Sequence, residues 1–359
     1  MEHGKYSWNE ITTQGESWAA ALRAVQLQRD QLCSWLSEAQ SRGIIFVGCG
    51  STHYLAQFAA AWFQQQTGWR CRGLPSSELL WQRNAWLAPG ERPAIVALSR
   101  SGETSETILA VEEMARDGSP ALTIGCYADT PLARAAGLTV AIPEGQEQSF
   151  AQTRSFAGML LAVQALGALA SGDLALEAEL EMLPGLASAT IERAQSLAHA
   201  YGADESVRRI TYLGSGPLYG LANEATVKMK EMSLSLAEGY HFMEFRHGPM
   251  SLVDPEHLVV ALISDVMRGY EIGVLADLKA RGARVLAIAE GAAGPGAVAD
   301  DCLDLSSGLP ERARAVLYLP ALQLLAYHRA IGRGLNPDRP RNVVMAIRLH
   351  GTGMATDAH

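Results

Sequence analysis

The chain has 359 residues, 48% hydrophobic and 19% charged, with a formal net charge of −9. That is roughly twice a typical domain of about 100–200 residues, so two domains are expected, each able to bury a core. The negative balance argues against nucleic acid and membrane as partners, and an anionic ligand would need local donors to hold it against that field.

The five cysteines (Cys33, Cys49, Cys71, Cys126 and Cys302) are scattered, with no CxxC or Cys/His spacing. The pattern implies reduced thiols in a cytoplasmic protein and no bound metal. The opening MEHGKYSWNE is polar and no apolar run reaches about 18 residues, so neither a signal peptide nor a transmembrane helix is expected.

In chain order, WNEITTQGESWAAALRAVQLQRDQLCSWL reads as leading helices. GIIFVGCG (43–50) is a short apolar run closing in glycines, and STHYLAQFAAAWFQQQ after it has helical spacing. PAIVALS, the helical TSETILAVEEMARDG, and the strand-like ALTIG (121–125) and LTVAI (138–142) follow. Apolar runs of about five residues alternating with amphipathic helices predict an α/β fold, a parallel sheet with helices on both faces. MLLAVQALGALA and an Ala/Leu/Glu-rich stretch to about Ala200 read as helical connection.

The order then repeats. RITYLGSG (209–216) matches GIIFVGCG and LVVALIS (258–264) matches PAIVALS, while VLAIA (285–289) and CLDLS (302–306) answer ALTIG and LTVAI. The expected organisation is N-terminal helices over 1–34, a first subdomain with its connecting helix over 35–195, a second over 196–340 and a tail over 341–359.

The repeat breaks where the first copy reads SRSGET (99–104) and the second reads SDVMRG (264–269). A purely structural turn would serve both copies, so the hydroxyl-rich version reads as a ligand loop. Ligands of open parallel sheets sit outside the carboxyl ends of the strands. A loop there that opens a helix offers free N–H groups and the positive end of a dipole. Ser99, Ser101 and Thr104 add hydroxyl donors, and Gly102 permits close backbone approach. The combination predicts a phosphate cradle, with Ser51 and Thr52 of GCGSTH as further donors; helix capping by Ser101 or Thr104 is the plainer reading. The nucleotide motif GxxxxGK[ST] is absent. GCGSTH and GSGPLYG are poor dinucleotide fingerprints, and no cofactor is expected.

In the second copy, Glu224, Lys228 and Glu231 share one face of a helix that follows Pro217. Such a stripe is either a set of solvated i,i+4 pairs or a tuned acid/base group. His247 lies in EFRHGP (244–249), on a turn that suits a proton shuttle.

Together, the doubled α/β unit, the SxSGxT loop, ExxxKxKE and the HGP turn resemble the sugar isomerase (SIS) domain superfamily. More narrowly they are similar to the isomerase part of the glutamine–fructose-6-phosphate transaminases, the glucosamine-6-phosphate synthases. The resemblance implies two flavodoxin-like subdomains and a homodimer with its active site at the subunit interface. It assigns the phosphate to Thr52, Ser99, Arg100, Ser101 and Thr104, with Arg100 where the synthase has glutamine. AQTRSF (151–156) resembles the segment that lines the sugar, with Gln152 replacing a serine. Glu231 would move a proton between C1 and C2, supported by Lys228 and Glu224. His247, donated by the neighbouring subunit, would open the ring.

Two departures shift the expected reaction. The chain starts just before the isomerase part, with no glutaminase segment ahead of it. In PRNVVMAI, Met345 stands where the synthase has a lysine that forms a Schiff base with fructose 6-phosphate. The expectation is therefore the reverse chemistry of stand-alone SIS-type deaminases, glucosamine 6-phosphate to fructose 6-phosphate and ammonia, with a sugar phosphate as the only small-molecule partner. Alternatives are an isomerase or deaminase of galactosamine or tagatose phosphates, a fructosamine-6-phosphate deglycase, and a non-catalytic sugar-phosphate sensor.

Overall fold

The computed structural model describes residues 3–350 and 354–357. Its first stretch holds α1 (Lys5–Thr12), α2 (Gly15–Leu27), α3 (Arg29–Arg42), β1 (Ile44–Gly48), α4 (Ser51–Thr67), β2 (Cys71–Pro75), α5 (Ser76–Trp81), α6 (Arg83–Trp86), β3 (Ala94–Ser99), α7 (Ser105–Arg116), β4 (Ala121–Gly125), α8 (Pro131–Ala136) and β5 (Thr139–Ala141). Helices α9 (Arg154–Ser171), α10 (Leu174–Glu181) and α11 (Leu183–Gly202) form the connection. Then come β6 (Arg209–Gly214), α12 (Leu218–Ser233), β7 (Ala237–His241), α13 (Phe242–Phe245), β8 (His257–Leu262), α14 (Arg268–Ala280), β9 (Arg284–Ala289), β10 (Asp301–Asp304), α15 (Glu311–Arg314) and α16 (Leu319–Gly332), with β11 (Ile347–His350) and β12 (Met354–Asp357) last.

The chain forms two compact units, one of residues 13–184 with 342–359, the other of 185–341 with 1–12. In the first, all five strands are parallel in the order β2-β1-β3-β4-β5. In the second the order is β10-β9-β8-β6-β7, again all parallel and the same winding. This is the flavodoxin-like order, whose switch point lies between the first and third strands of each copy, β1/β3 and β6/β8. The expected doubled α/β fold is what the chain adopts.

The sheet centres are dry because both faces are covered. Every residue of β1, β3, β4 and β8 is buried. In the first unit Ile45, Val47, Ile95 and Ala97 pack against Val111 and Met114 of α7, and in the second Val259 and Ala261 pack against Val274, Leu275 and Leu278 of α14. Each Val, Ile, Leu or Met side chain among them contributes about 1.5–3 kcal/mol on burial. Helix α9 is long and apolar enough to cross a membrane by length and composition alone, but 78% of it is buried inside the protein, as in a core helix.

Two strands of the parallel sheets have no counterpart in the sequence reading. CRGLP (β2) and AEGYH (β7) are edge strands with little apolar character, each with a single fully buried residue. Their glycines explain their fit: a Cβ on Gly73 would lie 2.3 Å from the Ala56 carbonyl oxygen, and one on Gly239 2.4 Å from Asn223 Oδ1. The C-terminal segment is more than a tail, since β11 and β12 pair antiparallel and Leu349 N–H donates to Ser105 Oγ (3.0 Å). Helix α1 belongs to the second unit, where Ser7 donates through N–H and Oγ to buried Asp338 (2.7 and 2.8 Å).

Candidate active site

Both loops proposed for phosphate lie at the β1/β3 switch point. After β3, Gly102 N–H donates to Ser99 Oγ (3.0 Å) and Glu103 N–H to Ser101 Oγ (3.2 Å), which folds the loop back on itself. Gly102 has φ +66°, and a Cβ there would lie 2.3 Å from Thr130 Oγ1. Only glycine fits that conformation without strain. Thr104 is the N-cap residue of α7, yet its side chain makes no capping bond. The first bond within the helix is Ile108 N–H to the Thr104 carbonyl (3.1 Å), and the N–H groups ahead of it have no partner inside the helix. Capping therefore does not account for the Thr104 hydroxyl.

After β1, Thr52 and Ser51 are buried. Thr52 Oγ1 accepts from Cys49 N–H (2.9 Å) and donates to the Cys49 carbonyl (3.0 Å), so this hydroxyl shapes its own turn. Gly50 starts α4 at φ +59°. Beside the cradle loop lies a cleft of about 390 Å³, lined by Ser101, Tyr127, Thr130, Phe150, Met345 and Arg348 among others. That volume falls in the usual range for small-molecule sites, about 300–1,000 Å³. Met345 thus stands at a cleft wall.

Arg100, assigned to the phosphate by resemblance, is placed elsewhere. It is 3% exposed, and its guanidinium pairs with buried Glu147 (3.2 Å) and donates to the carbonyls of Phe150 (2.9 Å), Met345 (3.3 Å) and Ser149 (3.4 Å). Glu147 also accepts from Thr153 N–H (2.6 Å), Thr153 Oγ1 (3.1 Å), Ser155 N–H (3.2 Å) and Ser155 Oγ (2.6 Å). The sequence reading missed Glu147, which sits in the polar run EGQEQSF and gives no sign of burial. Gln152 is in the loop that Glu147 orders, with its Oε1 buried and unbonded among the described residues.

In the second unit, Lys228 Nζ lies 2.7 Å from Glu231 Oε2 and 3.4 Å from Glu224 Oε1. The Lys228 and Glu224 side chains are 2% and 4% exposed and Glu231 is 26% exposed. A solvated charge stripe is therefore excluded. The helix carries an internal ammonium held by one buried carboxylate, and it fixes a second carboxylate that stays partly open. His247 is exposed on the turn after α13, with its N–H bonded to the Glu244 carbonyl (2.9 Å). Gly248 follows at φ +119°, and Arg246 anchors the turn on Asp277 of α14 (2.5 Å).

The second copy's version of the cradle is closed. Met267 N–H donates to Ser264 Oγ (3.0 Å), as Gly102 does to Ser99. Here the fully buried Glu271 accepts from Ser264 N–H (2.7 Å) and Ser264 Oγ (3.0 Å), and from the Ser215 side chain at the other switch loop. Burial pushes its carboxyl above the usual range, against those hydrogen bonds. Sequence reasoning had no signal for Glu271, an acid within an ordinary amphipathic helix.

The SIS domain family model matches residues 39–169 and 205–331. The glutamine–fructose-6-phosphate aminotransferase (isomerizing) of Zymomonas mobilis is 27% identical over 324 residues, 87% of this chain and 53% of that protein. That of Streptococcus pyogenes serotype M1 is 30% identical over 270 residues, 72% of this chain and 44% of its own. The chain spans about half the length of these curated relatives. Among solved structures, the Escherichia coli tagatose-6-phosphate ketose/aldose isomerase superposes with a TM-score of 0.85 at 26% identity, covering 97% of each chain. The Thermotoga maritima glucosamine-6-phosphate deaminase does so at 0.75 and 25% identity, covering 91% of this chain and 99% of that one.

Proposed function

We propose that this chain, which belongs to the SIS domain family, deaminates an amino-sugar 6-phosphate, with glucosamine 6-phosphate the leading substrate. The observation that carries the reading is the Glu224–Lys228–Glu231 cluster, where a buried ammonium presents one partly open carboxylate. A fixed carboxylate of that kind suits a general base.

The phosphate is held by the neutral donors of Ser99, Ser101 and Thr104 and the N-terminus of α7. His247 opens the ring by moving the C1 hydroxyl proton to the ring oxygen. Glu231 takes the C2 proton of the open aldehyde; the C2–H electrons form a C1=C2 bond as the C1=O π pair moves to O1, which takes a proton from solvent to give the enolamine. Glu231 then returns its proton to C1 as the C2 nitrogen loses one to solvent. The resulting C2 imine adds water and loses ammonia, leaving fructose 6-phosphate. No redox partner is needed. A methionine at 345 has no amine with which to trap a ketose, which supports release of nitrogen over its capture. The chain works as a homodimer in which the neighbouring subunit supplies His247.

A second reading is favoured by the similarity to the tagatose-6-phosphate ketose/aldose isomerase across 97% of both chains. There the same proton transfer acts on a hydroxy sugar and no ammonia is released. Ammonia and ketose formation measured across hexosamine, fructosamine and hexose 6-phosphates separates the two. Glu231→Gln should cut kcat about 10²-fold or more on the true substrate; full turnover by this variant on every sugar would remove Glu231 as the base. Mixed dimers of Glu231→Gln and His247→Ala regain activity if the sites are shared between subunits, and stay inactive if each subunit is self-sufficient.

A further inference from the structure

Arg100 stands between two hydroxyls of the cradle loop, yet spends its guanidinium inside the protein. Its Nη1 reaches Glu147, Ser149 and Phe150, and its Nη2 reaches Met345. One buried cation thereby joins three stretches of chain: the loop after β3, the 147–153 loop that carries Gln152, and the segment around Met345. Charge cancels locally, because the Glu147 side chain is fully buried and the Arg100 side chain 3% exposed. A planar fork with several donors can grip a carboxylate and several carbonyls at once, which an ammonium cannot. A buried ion pair is weak evidence for a gain in stability, so its three-way geometry calls for another explanation.

We propose that Arg100 and Glu147 form a positioning pair that couples phosphate occupancy of the Ser99–Thr104 loop to the placement of Gln152 and Met345. The cradle binds phosphate with neutral donors, and Arg100 passes the ordering of that loop to the walls that meet the sugar. Glu147 completes the link, since its four bonds from Thr153 and Ser155 fix the turn just after Gln152. Substrates with a phosphate thus meet a correctly placed Gln152, whereas substrates without one do not. The inference deepens the proposed function and rests on it for the sugar, but the coupling can be read without turnover.

The test is hydrogen–deuterium exchange on the full chain with and without inorganic phosphate, in the wild type, Arg100→Lys and the double variant R100Q/E147Q. Arg100→Lys retains the charge without the fork, and the double variant leaves no buried charge unpaired. Circular dichroism checks that each is folded. In the wild type, phosphate should slow exchange at 99–105 and also at 147–155. In both variants the effect at 99–105 should persist while that at 147–155 is lost. Wild-type protection confined to 99–105, or unchanged protection at 147–155 in Arg100→Lys, would overturn the coupling. On the sugar phosphate that the wild type turns over, Arg100→Lys should raise KM about 10-fold with a smaller fall in kcat; equal losses in kcat and kcat/KM would count against a positioning role. If no sugar phosphate is turned over while the exchange pattern holds, the proposed reaction falls and the coupling stands.

Discussion

The two switch points of this molecule share a skeleton and differ in what fills it. In each unit a serine at or just past the end of the third strand accepts a hydrogen bond from an N–H three residues on, at 3.0 Å. In each, a glutamate stands seven residues after that serine, Glu106 and Glu271. Glu271 closes on Ser264 and, through its side chain, Ser215, so the second copy fills this space with a carboxyl group of its own. Among the described residues Glu106 makes no such closure, and one of its oxygens is buried without a hydrogen-bond partner. The loop backbones diverge too: Gly102 has φ +66° and Met267 φ −108°. The difference teaches that a duplicated loop keeps its turn hydrogen bond for folding, while the residues around it decide whether the space is left for a ligand or filled from within.

The largest expected effect comes from stripping the first loop. Ser101→Ala with Thr104→Ala removes two hydrogen bonds to a charged group, each about 1.5 kcal/mol, so KM for a phosphorylated sugar should rise about 10²-fold. Ser264→Ala in the second loop should leave KM alone and lower stability by about 1–3 kcal/mol, because Glu271 loses a buried donor. Steady-state kinetics and denaturant unfolding read the two effects, and a KM change in Ser264→Ala would break the comparison.

A smaller effect tests the backbone. Gly102→Ala places a Cβ 2.3 Å from Thr130 Oγ1 at a positive φ, and should cost about 1–3 kcal/mol and weaken phosphate binding. Met267→Gly should cost about 1 kcal/mol or less. Equal destabilisation by both would show that the two turns carry the same strain.

Glu271→Gln sharpens the contrast through pH. The folded carboxyl is held above its unfolded value by burial, so its contribution is complete below the unfolded value near 4.5 and is lost as pH rises through the folded one. The Tm difference, wild type minus variant, should fall as pH rises across that window. A difference that is flat or rises with pH contradicts the assignment. The smallest expected effect is from Met345→Lys, which should allow borohydride to trap fructose 6-phosphate on the chain, read as a mass increase. No trapping would mean that residue 345 does not reach a sugar carbonyl.

Much of this was legible in the sequence. Buried central strands are continuous apolar runs, so β1, β3, β4, β6, β8 and β9 announced themselves, and the broken repeat singled out Ser99–Thr104 as the proposed phosphate loop. The edge strands β2 and β7 did not, because half-exposed edges need no apolar run and their glycines answer to packing against helices. The Glu224–Lys228–Glu231 face was visible as spacing, but only burial distinguishes it from a solvated stripe. Arg100 shows the limit most plainly. Its place in the loop suggested a ligand contact, while Glu147, 47 residues on, turns it inward; no local pattern encodes that partner.

The comparison is tested most directly by soaking crystals in inorganic phosphate. The account predicts one anion against Ser99–Thr104, within hydrogen-bond distance of Ser101 and Thr104, and none at Ser264–Gly269, where Glu271 occupies the serine donors. Phosphate bound at Ser264–Gly269 with the first loop empty would contradict it and reverse the roles of the two units.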